Sequence, residues 1–141
     1  MKDNIKEGSQ ISMQSDDNHH RMRLWRTTLQ VFLRNSKTIL KRHGVTTLQY
    51  QCMLEIWSSP DQHGVAVGQL AKLLRVRHNT TVTVINALCA KKLGLRVRSL
   101  EDRRVVHVQL TLPGRRLLAT LVEEHVRELE QIRNDIRKII A

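Results

Sequence analysis

The chain has 141 residues, a length that suits one domain and buries roughly two thirds of the surface its unfolded form exposes. Apolar residues make up 40% and aromatics 3%, with six glycines and two prolines, which excludes collagen-like and low-complexity chains and any large aromatic stacking surface. Twenty-four Lys and Arg against thirteen Asp and Glu give a formal charge of +11, which calls for a polyanionic partner, nucleic acid or an acidic membrane.

Most of that excess lies in one block. Counted from the sequence, residues 66–116 carry a net +9, against +3 for 1–65 and −1 for 117–141. A concentrated block flanked by near-neutral helices is the footprint of a nucleic-acid-binding module on a separate scaffold. The two cysteines, Cys52 and Cys89, fall inside apolar helical patterns with no metal-ligand spacing, so a disulfide framework is excluded. Residues 1–18 contain no apolar segment of signal-peptide length, and no eighteen apolar residues run together, so a cytoplasmic location is expected.

In chain order, residues 1–20 have few apolar side chains and no period, which predicts a mobile tail. From Met22 to Leu40, Trp25, Leu29, Phe32, Leu33 and Ile39 recur at helical spacing until His43-Gly44 stops a long first helix. Thr46 or Thr47 caps a second helix striped by Tyr50, Met53, Leu54 and Trp57, which Ser58-Ser59-Pro60 and Gly64 end. Val65-Ala66-Val67 suits a short strand. A short helix through Leu70 and Leu74 breaks around Val76-Arg77, and a second run from Val82 to Leu88 follows, which predicts a helix-turn-helix.

The second of these helices opens with Arg77, His78, Asn79, Thr80 and Thr81 and continues through Thr83 and Asn86. Asn and Arg form paired hydrogen bonds to purine edges in the major groove, and Thr offers a methyl to thymine or a hydroxyl to phosphate, so this is the inventory of a recognition helix. After Gly94 the period changes to two: Leu95 and Val97 alternate with Arg96 and Arg98, and Val106, Val108 and Leu110 with His107 and Gln109, giving a hairpin. Its tip, Ser99 to Arg104, is basic. An arginine there suits a narrow minor groove, and Asp102 is placed to orient Arg104. From Pro113-Gly114 a last helical run carries Leu118, Leu121, Val126, Leu129, Ile132 and Ile136 almost to the C-terminus. Unbroken, such a run is too long to lie on one compact subunit, so its stripe and that of the first helix are expected to face a second copy; a helical hairpin broken near Asn134-Asp135 is the alternative.

This order of elements over residues 22–141 resembles the winged-helix regulators of the MarR (multiple antibiotic resistance regulator) family. Val45 to Tyr50 is similar to the start of that family's second helix, Gln69 to Leu74 to its positioning helix, and Arg77 to Val82 to its recognition-helix start. Asp102-Arg103-Arg104, followed by Val105 to Leu110, Thr111 and Gly114, is similar to the family's wing and its Leu-Thr-x-x-Gly link into the dimer helix. Ala66 stands where the family usually has a Ser or Thr cap. The resemblance implies a mainly α fold with a small β-hairpin: a winged helix-turn-helix at 66–112 between dimerisation helices at 21–43 and 114–141. It implies a homodimer on a pseudo-palindromic duplex, a repressor by default, contacting DNA through Arg77, His78, Asn79, Thr80, Thr81, Thr83, Asn86, Arg98, Asp102, Arg103 and Arg104. It also implies a small phenolic or lipophilic effector that releases the DNA.

Trp25, Tyr50, Cys52 and Trp57 are candidates for lining such an effector crevice, although a stripe at this spacing belongs to a core more often than to a pocket. The seven histidines show no clustered ligand spacing, and no nucleophile with a spaced base or phosphate-cradling glycine loop occurs, so neither metal, cofactor nor catalysis is expected. Two other readings remain at this level: a winged-helix scaffold or anti-activator that contacts proteins, and a nucleic-acid binder without sequence choice.

Overall fold

The structure, a computed structural model, describes the backbone from residue 3 and the side chains from residue 13 to the C-terminus. In chain order it contains α1 (Asp3–Arg42), α2 (Thr47–Ser58), β1 (Val65–Ala66), α3 (Val67–Leu74), α4 (His78–Ala90), β2 (Gly94–Arg98), β3 (Val106–Leu110), α5 (Leu112–Gln131) and α6 (Arg133–Ile140). The strands form one antiparallel sheet in the order β1-β3-β2. The chain divides into two compact units, Lys37–His125 and a second made by the segment up to Ser36 with Val126–Ala141.

Within Lys37–His125, local chemistry sets most boundaries. Gly44 takes the left-handed conformation at φ 68°. The Val45 N–H reaches back to Leu40 O at 3.0 Å and the Gly44 N–H to Lys41 O at 3.1 Å, satisfying carbonyls that the end of α1 would otherwise leave open. Val45 and Leu40 then pack together with Ile39 and Leu121. Thr46 caps α2 reciprocally: its hydroxyl accepts the Gln49 N–H at 3.1 Å, and Gln49 Oε1 accepts the Thr46 N–H at 3.2 Å. His43 Nε2 meets Glu124 Oε2 at 3.0 Å and ties the end of α1 to α5.

The main core of this unit gathers Cys52, Met53, Leu70, Ile85, Leu88 and Val108, each 1% exposed or less. Helix α4 contributes the stripe Thr81, Val84, Ile85 and Leu88, whose spacing leaves Asn79, Thr80, Thr83 and Asn86 on the exposed side. The turn before it is made by Arg75, left-handed at φ 57°, while the Val76 N–H returns to Ala71 O at 3.2 Å. β2 and β3 pair from Gly94↔Leu110 to Arg98↔Val106, so the whole segment 99–105 forms the tip. At the far end of β3, Thr111 Oγ1 accepts the Gly114 N–H at 3.0 Å and donates to Lys92 O at 2.6 Å, starting α5 and fastening it to the turn after α4.

The second unit shows two departures from the sequence reading. Residues 1–20 were expected to be a mobile tail without a helical period; α1 is helical from Asp3, and residues 1 and 2 lie outside the described residues. The side chains of residues 13–20 are all exposed. Once a helix is nucleated, adding residues is far cheaper than starting one, so a polar segment extends a helix that it is too weakly apolar to begin. The terminal run is not continuous either: Ile132, at φ −93° and ψ 5°, separates α5 from α6, two residues before the alternative break at Asn134-Asp135. Asp135 falls in the first turn of α6, where a carboxylate favours a new helix N-terminus. Arg21 Nε donates to Ile139 O at 2.7 Å and Asn35 Nδ2 to Glu128 Oε2 at 2.9 Å, so within this unit both α6 and the tail of α5 are bonded to α1.

Cys52 is fully buried, and burial first, then Glu55 and Cys89, pushes its thiol from 9.0 up to about 12. The fold holds the neutral thiol. Its contribution is therefore complete below pH 9.0 and is lost as pH rises toward 12, at up to about 1.4 kcal/mol per pH unit. Urea unfolding of the wild type should show this alkaline decline, and Cys52→Ala should lower stability overall while flattening it. A slope between pH 9.5 and 11 that is the same in both proteins would refute the assignment.

Candidate nucleic-acid interface

The exposed start of α4 and the base of the wing border one cleft. Ala66, Val67 and Gly68 at the start of α3, His78, Val82 and Ile85 of α4, Arg96 of β2, and Arg104, Val105 and Val106 enclose about 500 Å³. His78, Arg96 and Arg104 are all exposed, so the helix end and the wing present three basic or titratable side chains from the same side of Lys37–His125.

Along α4, Arg77 supplies the N-cap backbone and makes no side-chain cap bond, which leaves its exposed guanidinium to solvent. His78, Asn79, Thr80 and Thr83 are exposed as well. The Thr83 hydroxyl donates to Asn79 O at 3.0 Å, so its methyl is the more available group. Thr81 corrects the sequence reading. It is 0% exposed, and its hydroxyl donates inward to Arg77 O at 3.1 Å. The helical period that turns Asn79, Thr80 and Thr83 outward turns Thr81 into the core with Ile85 and Leu88, so it braces the helix start and cannot face a duplex.

Asn86 is exposed, but its Oδ1 accepts a hydrogen bond from Arg96 Nη2. Sequence reasoning singled out Arg98 and missed Arg96. The signal was present in the period-two alternation, which places Arg96 and Arg98 two residues apart on one face of β2. The Arg96–Asn86 bond links strand to helix and orders two groups that would otherwise move independently.

The wing tip is fixed by its own hydrogen bonds. The Ser99 N–H donates to Val105 O and the Val105 N–H to Asp102 O, each at 3.0 Å. Ser99 Oγ accepts from the backbone of Glu101 at 3.2 Å and of Asp102 at 3.3 Å. Asp102 orients Arg104 as the sequence suggested: Oδ1 accepts from the Arg104 N–H at 3.1 Å and from Nε at 3.2 Å, and Oδ2 from Nη2 at 3.5 Å. The Arg104 side chain is 92% exposed and that of Asp102 45%, so this pair adds little to stability and acts to aim the guanidinium. Arg98 Nη1 donates to Arg103 O at 3.4 Å, while the Arg103 side chain stays exposed.

Of the residues considered for an effector crevice, three lie within Lys37–His125. Cys52 is buried in the core, and Tyr50 stacks on His125 with centroids 4.6 Å apart and planes at 13°. Trp57, 68% exposed, borders a separate cleft of about 370 Å³ with Pro60, Asp61, Gln109, Leu110 and Arg115. Among the described residues, no three His, Cys, Asp or Glu side chains are grouped as metal ligands, and no helix is long and apolar enough to cross a membrane.

Comparison with known proteins agrees with this geometry. The family described as transcriptional regulator SarA/Rot matches residues 34–121. No curated protein sequence matches the chain. Among solved structures, a variant of MepR from S. aureus bound to an oligodeoxyribonucleotide is 20% identical, with a TM-score of 0.66 over 85% of this chain and 83% of that one. Wild-type MarR from E. coli in its apo form is 22% identical, with a TM-score of 0.69 over 79% of this chain and 82% of that one. YusO from Bacillus subtilis is 18% identical, with a TM-score of 0.66 over 93% of this chain and 82% of that one. The fold is thus the winged helix of MarR proteins, with its helix-turn-helix, wing and flanking helices. With a family match that spans well over half of its length and includes α2, the helix-turn-helix and the wing, the chain belongs to the SarA/Rot family of transcriptional regulators.

Proposed function

We propose that the protein is a sequence-specific, double-stranded-DNA-binding regulator that acts as a homodimer and has no catalytic activity. The observation that carries this reading is the shared cleft, which sets the exposed start of α4 and the base of the arginine-tipped wing on one side of the unit. Arg77, His78, Asn79, Thr80 and Thr83 enter the major groove, with Asn86 held behind them by Arg96, while Arg98, Arg103 and Arg104 follow the adjacent minor groove and its phosphates. Asp102 is a positioning residue. That the MepR variant was solved with an oligodeoxyribonucleotide supports the same use of the fold here.

Residues 66–112 form the DNA-binding part, and 21–43 with 114–141 the dimer-forming part. The second unit exposes Met22, Trp25, Val31, Leu33, Val126, Leu129 and Ile140, an apolar inventory that a second copy covers. Two subunits then address half-sites about one helical turn apart on a pseudo-palindrome and repress by occlusion. A small lipophilic effector that relieves this binding completes the reading, inside the cell.

Selection of duplexes from a random pool tests the reading. The wild type should enrich a two-fold-related sequence and bind it at least about a thousandfold more tightly than scrambled duplex. Replacing Arg77 or Asn79 with alanine should weaken the selected complex by about 1–3 kcal/mol and relax choice at one position per half-site. Equal affinity for every duplex would make the protein a non-specific binder, and no DNA affinity at moderate salt would leave a protein-contact scaffold.

A further inference from the structure

The most exposed large apolar side chain among the described residues is Leu100, at 99%. It lies in the wing segment that joins the paired strands, between Arg98 and Arg103-Arg104 in the chain. A hairpin tip ordinarily carries Gly, Asn, Asp or Ser, which suit its backbone and its hydration. This tip is closed by its own hydrogen bonds. Ser99 and Asp102 accept the backbone N–H groups of residues 101, 102 and 104, and the Ser99–Val105 and Asp102–Val105 backbone bonds close the turn. The result is an exposed apolar side chain on a hydrogen-bonded, basic turn, in contact with no core cluster of the described residues.

We propose that Leu100 is a wedge: when the wing enters the minor groove, the leucine side chain presses into a base step, partly unstacks it and bends the duplex toward the major groove. The occupant is assigned by charge. Arg98, Arg103 and Arg104 flank the leucine along the chain with exposed cations suited to the phosphates that border a groove, whereas an acidic protein surface offers no slot for an isolated apolar tip. An apolar wedge lowers the cost of a bend by replacing lost base stacking, and pyrimidine–purine steps yield most easily. The exposed carboxylate of Glu101 beside it repels phosphates and opposes close approach. The inference rests on the wing reading given above and adds a function for a residue that reading leaves idle.

The test uses the full-length protein and a duplex selected by the wild type, with 2-aminopurine placed at successive steps under the wing. Wild type should raise 2-aminopurine fluorescence at one flanking step and bend the duplex in a fluorescence-transfer assay. Leu100→Ala should abolish both signals and weaken binding roughly fivefold to tenfold on a duplex with a TA step there, while Leu100→Met retains them. Because the side chain packs on nothing, circular dichroism and unfolding midpoint should not move. Glu101→Gln should tighten the complex. Unchanged bend and fluorescence in Leu100→Ala overturns the wedge. If that result accompanies weakened binding by Arg104→Ala, the regulator reading stands without it; a wild type that enriches no duplex overturns both.

Discussion

Gly114→Ala is expected to destabilise the protein by about 3 kcal/mol, a large share of the stability of a domain this size. Glycine within a helix normally invites the opposite result, because alanine there gains about 1 kcal/mol from helix propensity. The sign is decided by what a Cβ would meet: Leu93 O at 2.1 Å and Leu93 C at 3.0 Å. That carbonyl has little freedom to retreat, since it accepts the Thr111 N–H at 3.0 Å while the Leu93 N–H is bound to Leu88 O at 2.9 Å. The close approach is what seats the first turn of α5 against the turn between α4 and β2, so the substitution also loosens the wing's anchorage. Gly68→Ala, in α3 with nothing within 4 Å of the added carbon, is the control and should gain up to about 1 kcal/mol. Urea midpoints with unchanged slopes would measure both, and a neutral Gly114→Ala would show that the α5 start yields more than this packing allows.

Arg104→Ala is expected to leave the unfolding midpoint unchanged and to weaken the selected DNA complex about tenfold, with the dependence on salt falling by about one phosphate contact per subunit. The first half follows from geometry, since the exposed side chain bonds to the half-exposed carboxylate of Asp102 and to no core group among the described residues. The second follows from placement, as Arg104 borders the cleft shared with His78. Asp102→Ala should show a smaller loss, because it frees the guanidinium without removing it. An unfolding midpoint that drops with Arg104→Ala would assign the arginine to the fold instead.

The features legible in the sequence were those fixed by local chemistry. Gly44 as the stop of α1, Thr46 or Thr47 as a cap, the alternation that builds β2 and β3, and the Asp102–Arg104 pair each depend on residues within a few positions of one another. What escaped depends on the third dimension. Thr81 shares its residue type with Thr80 and Thr83, and only its register with Val84, Ile85 and Leu88 turns it inward. Arg96 gains its partner Asn86 because β2 returns alongside α4, ten residues later in the chain. The helix over residues 3–20 follows from propagation out of a nucleus further along, which composition by itself does not reveal. The break between α5 and α6 was legible only as an alternative, through Asn134-Asp135, because the apolar period of Ile132 and Ile136 runs through it without interruption. The basic block was informative about a partner yet coarser than the fold: Lys91 is spent bonding Gly44 O at 2.5 Å and Gln49 Oε1 at 2.8 Å, which joins α4 to the α1–α2 turn.

The most direct measurement is a paired chemical footprint of the wild type on its selected duplex, reading guanine N7 methylation for the major groove and hydroxyl-radical cleavage for the minor groove. N7 protection is expected inside each half-site, radical protection a few base pairs outward, and loss of only the outer protection in Arg104→Ala. Outer protection that survives in Arg104→Ala, or N7 positions that remain open under a bound protein, would contradict the joint use of the α4 start and the wing.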